Sequence, residues 1–487
     1  MTSQGCYNPA ESTGVISLFG HQTAMWFIRS QRWSLCGLFG CFALPTMWIL
    51  HGIYIADNKP VAVPVHQKLQ LTLNLSRDVK RRDVIVKHYI QNLQTQLEDK
   101  INKRVLVIRN QDEHEKILRK RREHLTQYCE KQPDAQMPLN AKIVRKHHWF
   151  LDTPRVMYCP VAKSGSTFWR RAFEVIRRKD PKVVSPFQLS YMDFKAYKAR
   201  IPLNMTEPAH ATDMSELLET TFKFIFARDP YKRVFSTYID KVMSPNRYMW
   251  GLGRKAIKMF RSSYKNGTEI CGSDVTFDEY IKYINTLNSK SYDVHLRPVA
   301  YVCDPCAVDY DVIGKLDTFQ DDTEYILKRT GSYDKDIKFK DMSTEYKVDY
   351  IVDSVVRTFA LKNGWSRCIS VHAGYQRLWR QLQIQGKIEK IDVYPLTPEQ
   401  SNNITVTEYL NMALDAFKRS GPAAKSNKRE ALLQAYSMVT LKDMENLREK
   451  YIADFEMFDF DQRPEELFRA HKNAKFEFDY FNVMRLK

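Results

Sequence analysis

Acidic side chains are in deficit in this chain of 487 residues: 57 Asp and Glu stand against 75 Lys and Arg, for a net charge of +18. A surface of that sign favours acidic partners such as nucleic acid, anionic lipid or polyanionic glycan. Zinc-finger spacing and aromatic-basic RNA-binding motifs are both missing, which argues against nucleic acid. No low-complexity tract suggests a largely disordered protein. With 44% apolar and 12% aromatic residues, the chain can build a catalytic body of about 300 residues plus extra segments. Cys303-Asp-Pro-Cys306 has no second CxxC or nearby His pair, so neither zinc nor any other metal is expected. Residues 57–150 hold 20 Lys and Arg against 11 Asp and Glu, about half the excess; a solvated helical face explains this as readily as a binding surface.

Charge is also absent from residues 33–56, a run of 24 positions. As a helix they would reach about 36 Å, enough for a hydrocarbon core of about 30 Å. Pro45 and His51 interrupt the run, and a buried soluble helix is the alternative. A cleaved signal peptide fits poorly, because 32 residues precede the run and no A-x-A-like site follows. Flanking positive charges tie, so they leave orientation open. The glycosylation triplets at Asn74, Asn204, Asn266 and Asn403 all fall after the run. So do Cys129, Cys159, Cys271, Cys303, Cys306 and Cys368, enough for up to three disulfides of undetermined pairing. The expected organisation is a cytoplasmic tail (1–32), a transmembrane signal-anchor (33–56), a stem (57–146) and a lumenal body (147–487), a type II topology. Within the stem, apolar residues from Val86 to Ile108 recur about every 3.67 positions, an amphipathic helix. It would pack on the body or on a second chain as a homodimer.

Two stretches of the body carry chemistry. Residues 155–162 read as a buried strand, Lys163, Ser164, Gly165, Ser166 and Thr167 as a small polar turn, and Phe168, Trp169, Ala172, Phe173 and Ile176 as one side of a helix. Strand, turn and helix aim free backbone N–H groups at an anion. The lysine precedes the glycine, so this is not a Walker A loop; an ordinary polar turn is the alternative. Further on, 222–227 reads as a strand, Arg228 sits at its end, Asp229 suits an N-cap and Pro230 the first helical position. Arg228 can grip phosphate oxygens in pairs, and Ser236, two turns along, can add a hydroxyl. An Arg–Asp ion pair on a capped helix is the alternative.

The sequences YCPVAKSGSTFWRR and FARDPYKRVFSTYIDK resemble the two nucleotide-binding motifs of Golgi carbohydrate sulfotransferases, in the HNK-1, chondroitin, dermatan and N-acetylgalactosamine 4-O-sulfotransferase branch. Similarity extends with gaps over about residues 115–460, including segments around 293–298, 303–314 and 447–458. Ala162, Phe168 and Leu296 stand where the family usually has proline, asparagine and tryptophan. The resemblance implies an α/β fold with a P-loop-kinase-like parallel sheet flanked by helices. It implies 3′-phosphoadenosine-5′-phosphosulfate as donor, with 163–167 at the 5′-phosphosulfate and Arg228 and Ser236 at the 3′-phosphate. The acceptor would be a glycan hydroxyl, glycosaminoglycan favoured, at the Golgi membrane. It points to His295 as general base beside Lys163 as the charge stabiliser, with Glu174, Asp293 and His210 as rival bases. A non-catalytic lumenal glycan-binding protein and, less well, a nucleotide kinase are the competing readings.

Overall fold

The strongest apolar runs become strands buried on both faces. In the computed structural model, β1 (Trp149–Asp152) pairs antiparallel with β2 (Arg155–Cys159), and β2, β3 (Phe222–Ala227) and β4 (Val312–Lys315) run parallel in the order β1-β2-β3-β4. Alternation divides the side chains between two layers. Val156, Tyr158, Phe224, Phe226 and Val312 join one core cluster, and Met157, Cys159, Ile225, Ala227 and Ile313 another. A parallel sheet covered on both sides favours near-continuous apolar runs, and β3 is one broken only at Lys223, whose ammonium bonds the Leu218 and Thr221 carbonyls.

The described residues are 111–132, 144, 146–189, 214–247, 250–264, 271–288, 292–468 and 475–486. They all fall in the unit Arg82–Lys487, and the other unit, Met1–Arg81, lies wholly outside them. The expected tail, anchor and amphipathic stem helix, the triplets at Asn74, Asn204 and Asn266, and His210 lie outside the described residues. Among the described residues, no helix is long and apolar enough to cross a membrane.

Helices cover the sheet. Helix α1 (Gln111–Lys131) packs on β4, where Arg121 donates to the Ile313 carbonyl at 3.2 Å and to Asp322 at 2.9 Å. Helix α2 (Ser166–Arg178) follows β2 and buries Trp169, Phe173 and Ile176 against the Phe224 layer. Helix α3 (Pro230–Thr237) follows β3 and runs into a wider π-helical turn, Tyr238–Met243. Helices α4 (Trp250–Phe260) and α5 (Phe277–Thr286) pack together beyond it. Helix α6 (Phe319–Arg329) follows β4, and α7 (Met342–Ala360) is tied to α2 by Arg171, which bonds Asp349 at 2.7 Å and also Asp353. Helices α8 (Val371–Ile384), α9 (Val406–Arg419), α10 (Asn427–Ser437) and α11 (Leu441–Lys450) form the C-terminal layer.

The fold is thus α/β with helices flanking the sheet, as expected. It is not wholly parallel, because β1 adds an antiparallel edge. Strand β2 ends at Cys159, short of residue 162, because Val161 and Ser164 already bond within the turn. Three disulfides, Cys129–Cys306, Cys159–Cys303 and Cys271–Cys368, close separations of 177, 144 and 97 residues. The CxxC cysteines therefore bind two different partners. Non-reducing peptide mapping should recover these three pairs. Replacing both Cys271 and Cys368 with serine should cost about 2–5 kcal/mol in chemical denaturation; wild-type stability would contradict the pairing.

Candidate active site

All three parallel strands deliver their next residues to one edge. In open α/β sheets that carboxyl edge is where ligands bind. Strand β2 leads into 160–165, β3 into Arg228, and β4 into Asp317. Lys163 (φ 69°) and Gly165 (φ 87°) both adopt left-handed backbone. That conformation costs a non-glycine residue about 1–2 kcal/mol. Two arginines of the second motif hold it: Arg228 Nη1 donates to the Lys163 carbonyl at 2.9 Å, and Arg233 Nε to the Ala162 carbonyl at 3.1 Å. At Gly165 a Cβ would lie 2.3 Å from Phe319 Cε2, so only glycine fits there.

The turn opens α2 toward an anion. Gly165 caps the helix without a side-chain hydrogen bond, the first turn has no acid, and Arg177 and Arg178 lie in the last turn. Such an end carries unsatisfied N–H groups and partial positive charge. Ser164 is buried with its hydroxyl unpartnered, whereas Thr167 is exposed. Phe168 packs on Phe187, Phe319 and Phe339 rather than toward the turn.

Lys163 Nζ lies 2.8 Å from Asp240 Oδ2, while Lys241 and Arg357 reach the same carboxylate at 3.3 and 2.8 Å. Burial would raise the Asp240 pKa, but these three cations outweigh it and hold it well below the usual carboxylate range. Burial also pushes the Lys163 ammonium down to about 8, against the opposing pull of Asp240. Arg228 is buried, and desolvation lowers its pKa. Among the described residues no carboxylate lies within salt-bridge distance of it. Asp229 caps α3 by accepting from the Lys232 N–H at 2.8 Å, and Pro230 takes the first helical position. Ser236 is buried on the same helix.

Sequence reasoning missed the rest of the wall. Lys232 bridges Asp317 at 3.4 Å. Lys428, exposed at the start of α10, has its pKa brought down to about 7 by desolvation and then by the Arg228 charge. Lys387 is buried over the rings of Tyr346 and Tyr350 at 4.8 and 5.5 Å. Desolvation and then Lys428 bring it to about 7 as well. Asp240 and Arg357 were missed too. Only Asp240 carried a usable signal: it lies four residues after Ser236, on the same helical face.

His295 belongs to a second group at this edge. Its Nδ1 lies 2.6 Å from Asp293 Oδ1, which also accepts from the His295 N–H at 2.9 Å. Burial would raise the Asp293 pKa, but these bonds and the charge of Lys241 lower it. The Thr237 hydroxyl donates to the His295 carbonyl at 3.3 Å. Asp293 is therefore engaged with His295. Glu174 faces Arg177 and Arg178 along α2. Leu296 is buried in the α3–α5 core. Arg233 joins these segments to the turn: its Nη2 donates to the Arg297 carbonyl at 2.5 Å, and its Nη1 lies 3.6 Å from Asp454, which accepts from the Val299 and Ala300 N–H groups. No cluster of metal ligands occurs among the described residues. Arg233→Met strands a buried carboxylate and should cost about 3–5 kcal/mol in denaturant titration. Adding Asp454→Asn should recover part of it; strict additivity would contradict the pairing.

Residues 146–361 match the model of the sulfotransferase family. Carbohydrate sulfotransferase 14 of Danio rerio is 28% identical over 210 residues, 43% of this chain and 55% of that protein. Carbohydrate sulfotransferase 9 of Homo sapiens is 28% identical over 240 residues, 48% and 52%. Carbohydrate sulfotransferase 11 of Rattus norvegicus is 26% identical over 224 residues, 43% and 61%. The chain thus spans little more than half the length of these relatives, and no solved structure matches it. The segment 146–361, which carries both the 163–167 turn and Arg228, matches the sulfotransferase family model, and the chain is similar to carbohydrate sulfotransferases.

Proposed function

We propose that this chain is a carbohydrate O-sulfotransferase that uses 3′-phosphoadenosine-5′-phosphosulfate as donor. The observation that carries the reading is the bond from Arg228 to the Lys163 carbonyl, 2.9 Å, which puts the two motifs side by side on one edge. The donor supplies the sulfuryl group: the acceptor oxygen bonds to sulfur as the S–O bond to the 5′-phosphate breaks. Lys163 and the first-turn N–H groups of α2 hold that phosphate and stabilise the charge growing on it. Arg228 and Ser236 hold the 3′-phosphate, with Lys428 and Lys232 adding positive field.

The acceptor proton goes to His295. Asp293 beside Nδ1 favours the tautomer with its proton there, which leaves Nε2 as the accepting atom. In the resting site Asp240 holds Lys163, so the ammonium must exchange a carboxylate for a phosphate as the donor enters. The names of the relatives point to a sugar acceptor, and the basic chain favours a glycosaminoglycan, N-acetylgalactosamine foremost. A Golgi membrane anchor through residues 33–56, with the body in the lumen, accords with the triplets, the three disulfides and that acceptor class.

Calorimetry of the full chain with adenosine 3′,5′-bisphosphate tests the donor site. Lys163→Ala and Arg228→Ala should each weaken binding about 10- to 150-fold; wild-type affinity in both would refute it. Because the folded Lys163 pKa is depressed to about 8, its charge is lost as pH rises through that value. Affinity should fall over the same range, and Lys163→Arg, which stays charged, should flatten the profile. His295→Ala should lower kcat about 10²- to 10⁴-fold with donor affinity kept; near-normal turnover would remove the base. Labelled donor offered to desulfated glycans, followed by disaccharide analysis, identifies the acceptor. No incorporation into any glycan would leave a binding protein.

A further inference from the structure

Two adjoining cavities open beside the Asp293–His295 pair, outside the donor edge. One, of about 290 Å³, is lined by Leu252, Lys255, Tyr283, Leu287, Tyr292 and Asp293. The other, of about 630 Å³, shares Lys255, Tyr283 and Leu287 and adds Lys258, Met259 and Thr286. Together they form one groove between α4 and α5. It starts at Asp293, the carboxylate that holds the proposed base.

The chemistry of the walls is mixed in a particular way. Lys255 and Lys258 are exposed on α4, three residues apart, and therefore on one face. Among the described residues neither has a carboxylate within salt-bridge distance. Their neighbours are spoken for: Arg261 pairs with Glu279 and Asp274, and Lys282 with Asp278. The opposite wall is apolar and aromatic, with Tyr283, Leu287 and Tyr292, and Met259 stands 55% exposed at the rim. Sugar rings present apolar C–H faces that lie on aromatic and aliphatic surface, and acidic sugars add carboxylates at intervals. Paired free lysines beside such a wall fit that alternation, and neither a neutral sugar nor a purely electrostatic ligand needs both.

We infer that this groove is the acceptor subsite and that it takes an acidic, uronate-containing sugar chain, with carboxylates at Lys255 and Lys258 and a sugar ring on the Tyr283–Leu287 wall. The inference rests on the proposed sulfotransferase reading, since the groove matters because it ends at the Asp293–His295 pair. An acceptor hydroxyl delivered from it arrives beside His295 while the rest of the chain stays clear of the donor.

The test compares the full-length wild type with Lys255→Ala/Lys258→Ala, both exposed positions. Unsulfated chondroitin oligosaccharides serve as the acidic probe and chitin oligosaccharides of equal length as the uncharged one. The double variant should bind the acidic probe about 5- to 30-fold more weakly, with a shallower salt dependence and a KM raised in proportion. Its affinity for adenosine 3′,5′-bisphosphate should not change. Tyr283→Ala should weaken both probes. Unchanged chondroitin affinity and KM in the double variant would overturn the assignment, as would equally tight wild-type binding of polyglutamate, which would reveal a general anion surface. Failure of the enzyme reading looks different: the wild type would bind chondroitin, lose that binding in the double variant, and transfer no sulfate to it. The groove would then remain a glycan site on a non-catalytic protein.

Discussion

The site depends on two peptide carbonyls. Those of Ala162 and Lys163 face arginines that arrive from a strand and helix more than sixty residues later. A left-handed lysine is an unfavourable conformation in isolation. It persists here because Arg228 and Arg233 bond the carbonyls that this backbone path presents, while Phe319 closes the space beside Gly165. In this account Arg228 builds the site twice, once through the backbone of the first turn and once through its own charge. Arg233 carries the coupling onward to Arg297 and Asp454, so the segment bearing His295 and the C-terminal region register against the same turn.

Charge is arranged against solvation throughout this edge. Lys163, Arg228, Lys387 and Lys428 all have their pKa lowered, with desolvation the leading cause in each. Asp240 offsets only part of that concentration. Cations gathered and partly desolvated are costly alone, and the anionic donor proposed above would offset that cost. Lys387 and Lys428 lie beyond residue 361, where the match to the family model ends. Lys428, on α10, thus adds its charge to Arg228 from outside the segment that matches the family model.

What could be read from the sequence was what is local. The limits of β3, the capping by Asp229 and the proline at the start of α3 follow from adjacent residues, and the structure has them where local chemistry puts them. The turn that starts at Lys163 was legible for the same reason, but it ends at Gly165, and Ser166 and Thr167 already belong to α2. Strand β1 was not, because four residues are too few for alternation to register. Disulfide partners are fixed by packing across 97 to 177 residues, and cysteine spacing carries no trace of that. Asp240, Arg357 and Lys428 escaped for a related reason: each is an ordinary polar residue on a helical segment until the fold brings it into the charge network of Lys163 and Arg228. Glu174 and Asp293 looked alike as carboxylates in sequence, and their neighbours separate them, Arg177 and Arg178 for the one and His295 for the other.

The central claim is that Lys163 and Arg228 grip opposite ends of one doubly phosphorylated adenosine. Its most direct test compares Arg228→Ala with wild type against two ligands, adenosine 3′,5′-bisphosphate and adenosine 5′-monophosphate. The account predicts a clearly larger loss for the ligand that carries the 3′-phosphate, with the smaller loss shared by both ligands coming from the turn that Arg228 holds. Equal losses for both would contradict it, since Arg228 would then act only by shaping the turn.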